Sequence, residues 1–247
     1  AGAGSEMNGG AVITNEEKKI KTGRDYPACN PRFALMDPTY TLSLPKEQMV
    51  SGGFDILSHI MEAYFSWPAE DNVSDDIAEA LMQGVIRDLR ASVKDPQDYT
   101  ARSNLMWESA MAENRILKLG KRCGFPCHQI EHQLGAYTGC NHGQGLAVLH
   151  PAYYRRICGP EKQKFARFAT RVWGIPAGGK SEEELAHAGV EALAGFIQEL
   201  GLPTTLRQLG LADAKMLPVI ADSCNLAPAS CPKITKEEIL TLLQACF

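Results

Sequence analysis

Six histidines are distributed along 247 residues, and their spacing is the part of this sequence most able to do chemistry. Asp55 and His59 stand four apart, His128 and His132 repeat that interval, and His142 follows between Asn141 and Gly143. On a helix, residues four apart project from one face about one turn apart. Imidazoles and a carboxylate facing one another from separate helices can hold a divalent cation in a tetrahedral or open site. A lone helical histidine is more often a cap or a hydrogen-bonded core residue, so both readings stay open on the residues alone. A competing pattern overlaps the first: His128-Gln129-Ile130-Glu131-His132 matches H-x-x-E-H, an inverted zinc-protease motif with Glu131 as base. That pattern leaves Asp55, His59 and His142 unexplained. His150, before Pro151, and His187, on the polar side of a helix, read as structural or solvated.

Elements must bring these groups together, and after Pro45 the pattern is helical throughout. Phe54, Leu57, Met61 and Tyr64 recur at three- and four-residue intervals, predicting a helix over about 46–66. Ser74 with Asp75 and Asp76 opens another, where acidic groups suit the positive end of the helix dipole. The sequon Asn72-Val73-Ser74 then reads as a cap. Further helices are expected near 101–118, 127–137, 144–157 and 161–173. Ser181 and Glu184 form a capping box before the stripe Val190, Leu193, Ala194, Ile197 and Leu200, with Gly201 and Pro203 as the stop. Thr235 and Glu238 repeat the device before the last helix. Trp107 reads as core, and Phe54 and Phe125 as walls of a small apolar pocket.

The first 45 residues differ in kind. Ala11–Thr14 and Phe33–Met36 read as two strands, joined through charged Glu16–Lys21 and a loop with Gly23, Pro27 and Pro31. Two short strands do not make an independent sheet, so further sequence upstream is expected. The division is thus a β segment over 1–45 and a helical domain over 46–247.

Composition narrows the classes. The chain is 45% hydrophobic and 22% charged with a formal net charge of −4, the profile of a globular protein with a core. Without a Lys/Arg run it suits neither nucleic acid nor an anionic membrane. No apolar run nears the roughly 18 residues of a transmembrane helix, and Ala1–Gly10 does not read as a signal peptide. None of the eight cysteines forms a C-x-x-C pair. Small buried thiols in a reducing compartment, hence the cytoplasm, is the expectation.

Several segments resemble the iron-containing (group III) alcohol dehydrogenase family, in its butanol-dehydrogenase-like branch. They are Gly4-Ser5-Glu6-Met7-Asn8, Val12–Lys21, Gly53-Phe54-Asp55-Ile56-Leu57-Ser58-His59, Cys127–Pro151, Gly201-Leu202-Pro203-Thr204 and Ile234–Phe247. The resemblance implies a mainly α fold: a dehydroquinate-synthase-like C-terminal helical domain that binds metal and carries catalysis. It makes residues 1–45 a short β segment left from an otherwise missing α/β nucleotide-binding domain. Carried over by position, it implies Asp55, His59, His128 and His142 as ligands of Fe²⁺ or Zn²⁺. His132 takes a proton-relay role, and Ser5, Val12 and Lys21 lie near NAD or NADP. The glycines of Ala1–Gly10 do not spell G-x-G-x-x-G, so the family's pyrophosphate loop has no counterpart here. Lys18 and Lys19 read as a solvated loop.

The implied reaction is hydride transfer between a nicotinamide cofactor and a small alcohol or aldehyde. Three neutral imidazoles and one carboxylate leave a divalent ion net positive, suited to stabilising alkoxide charge as a Lewis acid. Ligand type does not select iron over zinc, and the hydride is the cofactor's. The resemblance also implies a homo-oligomer, and expects a chain with half a cofactor cleft to bind metal but turn over poorly. A non-catalytic metal-binding helical module is the alternative of a different class.

Overall fold

The computed structural model describes residues 3–68, 72–226 and 233–247. Strands β1 (Gly10–Asn15) and β2 (Ile20–Asp25) pair antiparallel, with Gly10 opposite Asp25 and Thr14 opposite Lys21. Helices follow: α1 (Lys46–Tyr64), α2 (Val73–Lys94), α3 (Tyr99–Glu113), α4 (Pro126–Thr138) and α5 (His142–Ile157). Then come α6 (Lys162–Arg167), α7 (Glu182–Glu199), α8 (Met216–Ser223) and α9 (Lys236–Ala245). The chain is therefore mainly α, as expected.

The core forms around α1, which packs against α2, α3 and α5 and is buried on almost every side. Its periodic residues Phe54, Leu57, Met61 and Tyr64 are fully enclosed, because a stripe that wide can leave water only by meeting helices on several flanks. On the far side, α5 packs on α4, α7 and α9, and Val190, Leu193 and Ile197 of α7 join the same core. Both capping boxes form, Ser181 with Glu184 and Thr235 with Glu238. At α2 the cap is Asn72, whose side chain accepts from the Asp75 N–H at 2.9 Å.

Several expectations are corrected. Phe33–Met36 is not a strand: it lies outside regular structure, with Phe33 83% and Leu35 92% exposed. Pro31 and Pro38 bracket it and remove backbone donors that pairing would need. The second strand is Ile20–Asp25, in a stretch read as connection. All of its residues but the part-buried Lys21 are exposed, so no apolar alternation marks it. The helix expected over 101–118 ends at Glu113, where Arg115 turns left-handed (φ 75°) and Ile116–Lys118 continues as a 3₁₀ turn. The one near 161–173 gives way after Arg167 to a π-helical turn over Phe168–Val172. Helix α8 is an element that the patterns above do not predict. Trp107 is 52% exposed, not core, since α3 turns that flank outward. Of the cysteines, Cys127, Cys158, Cys224 and Cys246 are buried, Cys123 and Cys140 partly so, and Cys29 is exposed; all seven are free thiols. Cys231 lies outside the described residues. No described helix is long and apolar enough to cross a membrane.

Candidate metal centre

Three helices deliver the polar cluster. Helix α1 carries Asp55 and His59 on one face, α4 carries His128, and α5 begins with His142. The last placement depends on Gly143. A Cβ there would lie 2.1 Å from the Ser51 carbonyl oxygen of α1, so only glycine lets the start of α5 lie backbone-to-backbone against α1. His142 is thereby brought to Asp55.

The four side chains converge. Asp55 Oδ1 lies 3.3 Å from His59 Nε2, 3.5 Å from His128 Nε2 and 3.6 Å from His142 Nε2. One ligand atom from each of the four falls within 4.8 Å of the others. Asp55 Oδ1 and His128 Nε2 are buried without a hydrogen-bond partner, an arrangement that costs free energy unless something else satisfies the pair.

Behind each imidazole stands a carboxylate. His59 Nδ1 lies 2.5 Å from Glu113 Oε1, while His128 Nδ1 meets Glu62 Oε2 and His142 Nδ1 meets Glu131 Oε2. An Nδ1–H donated to carboxylate selects the tautomer whose Nε2 lone pair faces the centre, the device that orients histidine ligands at metals. Each carboxylate is itself supported. Glu62 accepts from the backbone N–H groups of Cys127 and His128 at 2.8 and 3.0 Å, satisfying donors in the first turn of α4. Lys118 Nζ lies 3.3 Å from Glu113 Oε2, and Lys21 Nζ 2.9 Å from Glu131 Oε2.

Electrostatics follow from this crowding. Burial alone would raise the Asp55 carboxyl, but His59, with His128 and His142, holds it below the ordinary carboxylate range. Burial pulls against a charged His128, yet Asp55 and Glu62 push its pKa up to about 10. The cluster calls for positive charge at its centre. Imidazoles that ligate a metal must be neutral, and in that state Asp55, Glu62, Glu113 and Glu131 count as −4 and Lys21 and Lys118 as +2, leaving −2. A divalent cation would close that sum, so the donor set fits such an ion.

The cluster opens on a cleft of about 960 Å³ lined by Val12, Lys21, Phe125, His132 and Gln133, by Ser223 at the end of α8 and by Asn225 just after it. His132, one turn along α4 from His128, is partly buried, its ring 5.7 Å from that of His142. Burial lowers its pKa to about 4. It is not among the four converging side chains; with Glu131 and His142 it forms a second acidic-imidazole group. Val12 and Lys21 reach the cleft, whereas Ser5 is exposed and outside its lining. Phe125 walls the cleft beside His59 at 6.0 Å, but Phe54 is buried against His150. His150 is structural, bonded to Ser58 Oγ at 2.6 Å.

The H-x-x-E-H reading requires His128 and His132 on one ion with Glu131 facing a water. The described geometry separates the two histidines into different groups and buries the Glu131 carboxylate completely, committed to His142 and Lys21. Residue patterns could not disclose Glu62, Glu113 and Lys118. Glu62 alone left a trace, lying seven residues beyond Asp55 on the same face of α1.

Fold and cluster define an all-helical unit presenting three imidazoles and a carboxylate to one point. The chain belongs to the Fe-containing alcohol dehydrogenase family, whose C-terminal model matches residues 49–247. It is 39% identical over 214 residues to the NADH-dependent butanol dehydrogenase A of Clostridium acetobutylicum, covering 86% of this chain and 55% of that protein. With the NADPH-dependent aldehyde reductase YqhD of Escherichia coli it shares 33% identity over 217 residues, covering 88% and 55%. The crystal structure of NADH-dependent butanol dehydrogenase A from Thermotoga maritima superposes with a TM-score of 0.91 at 32% identity, covering 100% of this chain and 64% of that one. The chain thus spans little more than half the length of those two curated relatives.

Proposed function

We propose that this chain carries the metal-binding, substrate-side half of an NAD(P)-dependent alcohol dehydrogenase or aldehyde reductase acting on small alcohols and aldehydes. The observation that carries this reading is the convergence of Asp55 Oδ1 with three Nε2 atoms, each imidazole backed by its own carboxylate. Asp55, His59, His128 and His142 would hold Fe²⁺ or Zn²⁺, donors both ions accept. When bound, such an ion supplies Lewis-acid stabilisation of negative charge on the substrate oxygen. Residues 46–247 form the metal-binding unit in this proposal, and 1–45 belong to the nucleotide side. The cytoplasm, where thiols stay reduced, is the compartment proposed.

The protein's own residues supply orientation and proton handling. Glu62, Glu113 and Glu131 hold the three rings with Nε2 inward. Phe125 covers the edge of His59 and narrows the approach to a short aliphatic chain. His132, neutral because burial depresses its pKa, offers a nitrogen in the cleft that can exchange a proton with the substrate oxygen directly or through solvent. Val12 and Lys21 stand on the hairpin side of the cleft, the side assigned here to the nicotinamide nucleotide, and Ser5 is assigned to the same nucleotide further out.

Metal analysis with anomalous diffraction tests the reading. One iron or zinc per chain is expected, with the anomalous peak among the four side chains and lost in Asp55→Ala. NADH or NADPH oxidation with butanal should accompany the metal in preparations that also bind nucleotide. A folded chain that takes up no divalent metal under reducing, anaerobic reconstitution overturns it.

A further inference from the structure

Among the described residues of the cleft, Lys21 is the one whose charged group reaches across from the hairpin into the buried shell around the imidazoles. Its Nζ lies 2.9 Å from Glu131 Oε2 and 3.3 Å from His142 Nδ1, and its side chain is 15% exposed against 0% for Glu131. The ammonium thus sits on two members of the Glu131, His132 and His142 group.

Space is reserved for this pair. On α4, a Cβ at Gly135 would lie 3.0 Å from Glu131 Oε1 and 3.2 Å from Lys21 Nζ; on α5, a Cβ at Gly145 would lie 2.8 Å from Glu131 Cγ. Two helices therefore present bare backbone to one ion pair. The Lys21 main chain is tied to the same helix, its carbonyl accepting from Gln133 Nε2 at 3.4 Å.

Compensation of charge gives the arrangement a purpose. Glu62 draws on two backbone N–H groups and Glu113 on Lys118, but Glu131 has Oε1 buried without a partner and draws on Lys21. A buried carboxylate left with only the imidazole it must orient would be costly, and would shift toward whatever else relieved it. We infer that Lys21 is a positioning residue for His142: by pinning Glu131 it fixes the imidazole at the start of α5, so the hairpin must be docked for the ligand set to be complete. This rests on the metal-centre reading above, and it moves Lys21 from a nucleotide contact alone to the support of the ion site.

The test is titration of the metal-free chain with Zn²⁺ against a chromophoric chelator, and with Co²⁺ followed by its visible bands. Lys21→Met is expected to weaken Zn²⁺ binding about 10- to 100-fold, the usual cost of losing an outer-shell partner, and to alter the Co²⁺ spectrum. Lys21→Arg should restore affinity and spectrum toward those of the parent. Lys18→Met, which removes equal charge from the exposed hairpin turn, should leave both unchanged. In a Glu131→Gln background the further change to Lys21→Met should have no added effect, because the charge it compensates is gone. Parent-like binding and spectrum in Lys21→Met, or an equal loss with Glu131→Gln present, overturns the role of Lys21 while leaving the metal centre standing. Failure of the parent chain itself to bind either ion overturns the metal centre.

Discussion

At the scale of single residues, burial and neighbouring charge decide what each ionisable group can do, and they act far from the cleft as well as in it. Glu108 on α3 is buried facing Asp88 and Arg87 of α2. Burial raises its pKa to about 8, with Asp88 adding to the shift and Arg87 opposing it. Its folded pKa exceeds the ordinary value, so the fold favours the protonated acid. That preference costs nothing below about pH 4.5 and grows as pH rises toward 8, so stability should fall across this window. Glu108→Gln mimics the neutral form. Thermal melts should show the variant matching the parent near pH 4.5 and exceeding it at pH 8 by on the order of 2 kcal/mol. Equal pH slopes for both proteins would count against this account.

At the scale of elements, the site is a product of how closely α5 approaches α1. Helix–helix distances of roughly 8–10 Å are usual where side chains interdigitate, and the contact at Gly143 is tighter because no side chain intervenes. Gly143→Ala should push the start of α5 outward, since the Ser51 carbonyl belongs to a helix and cannot yield cheaply. Expected are a loss of about 2 kcal/mol or more in denaturant unfolding and a metal affinity reduced beyond that of an Ala substitution at exposed Gly195. Unchanged affinity would mean that another contact sets the position of His142. The asparagine, histidine and glycine at 141–143 are thus a cap, a proposed ligand and a close-approach residue in succession.

At the scale of the whole molecule, the four proposed ligands come from three helices separated by as much as 87 residues of sequence, from Asp55 to His142. An ion held by all three would add a shared link between elements already joined by apolar packing and a few hydrogen bonds, among them Glu62 to the start of α4 and Ser58 to His150. Binding to the folded state alone stabilises it by about 2.7 kcal/mol when the free ion is at 100 times its Kd. Calorimetry should show Tm rising with added Zn²⁺ and falling with chelator in the parent, and no such rise in Asp55→Ala. A Tm insensitive to metal in the parent would separate the cluster from metal binding.

Helix positions were legible because apolar period and capping are local properties: residues three and four apart must share a face whatever the rest of the chain does. Hence α1, α4, α5, α7 and α9 fall close to where their patterns put them, and the spacing of Asp55, His59, His128 and His142 was visible as a constellation. The β2 strand carries no local signal because solvent-exposed pairing leaves no apolar alternation, and Phe33–Met36 is apolar without being a strand because an apolar run need not find a core. Only the tertiary structure supplied the carboxylates behind the imidazoles and the ammonium of Lys21. Their partners lie as far as 121 residues away, and which distant charges meet depends on how whole helices pack, a property no local spacing encodes.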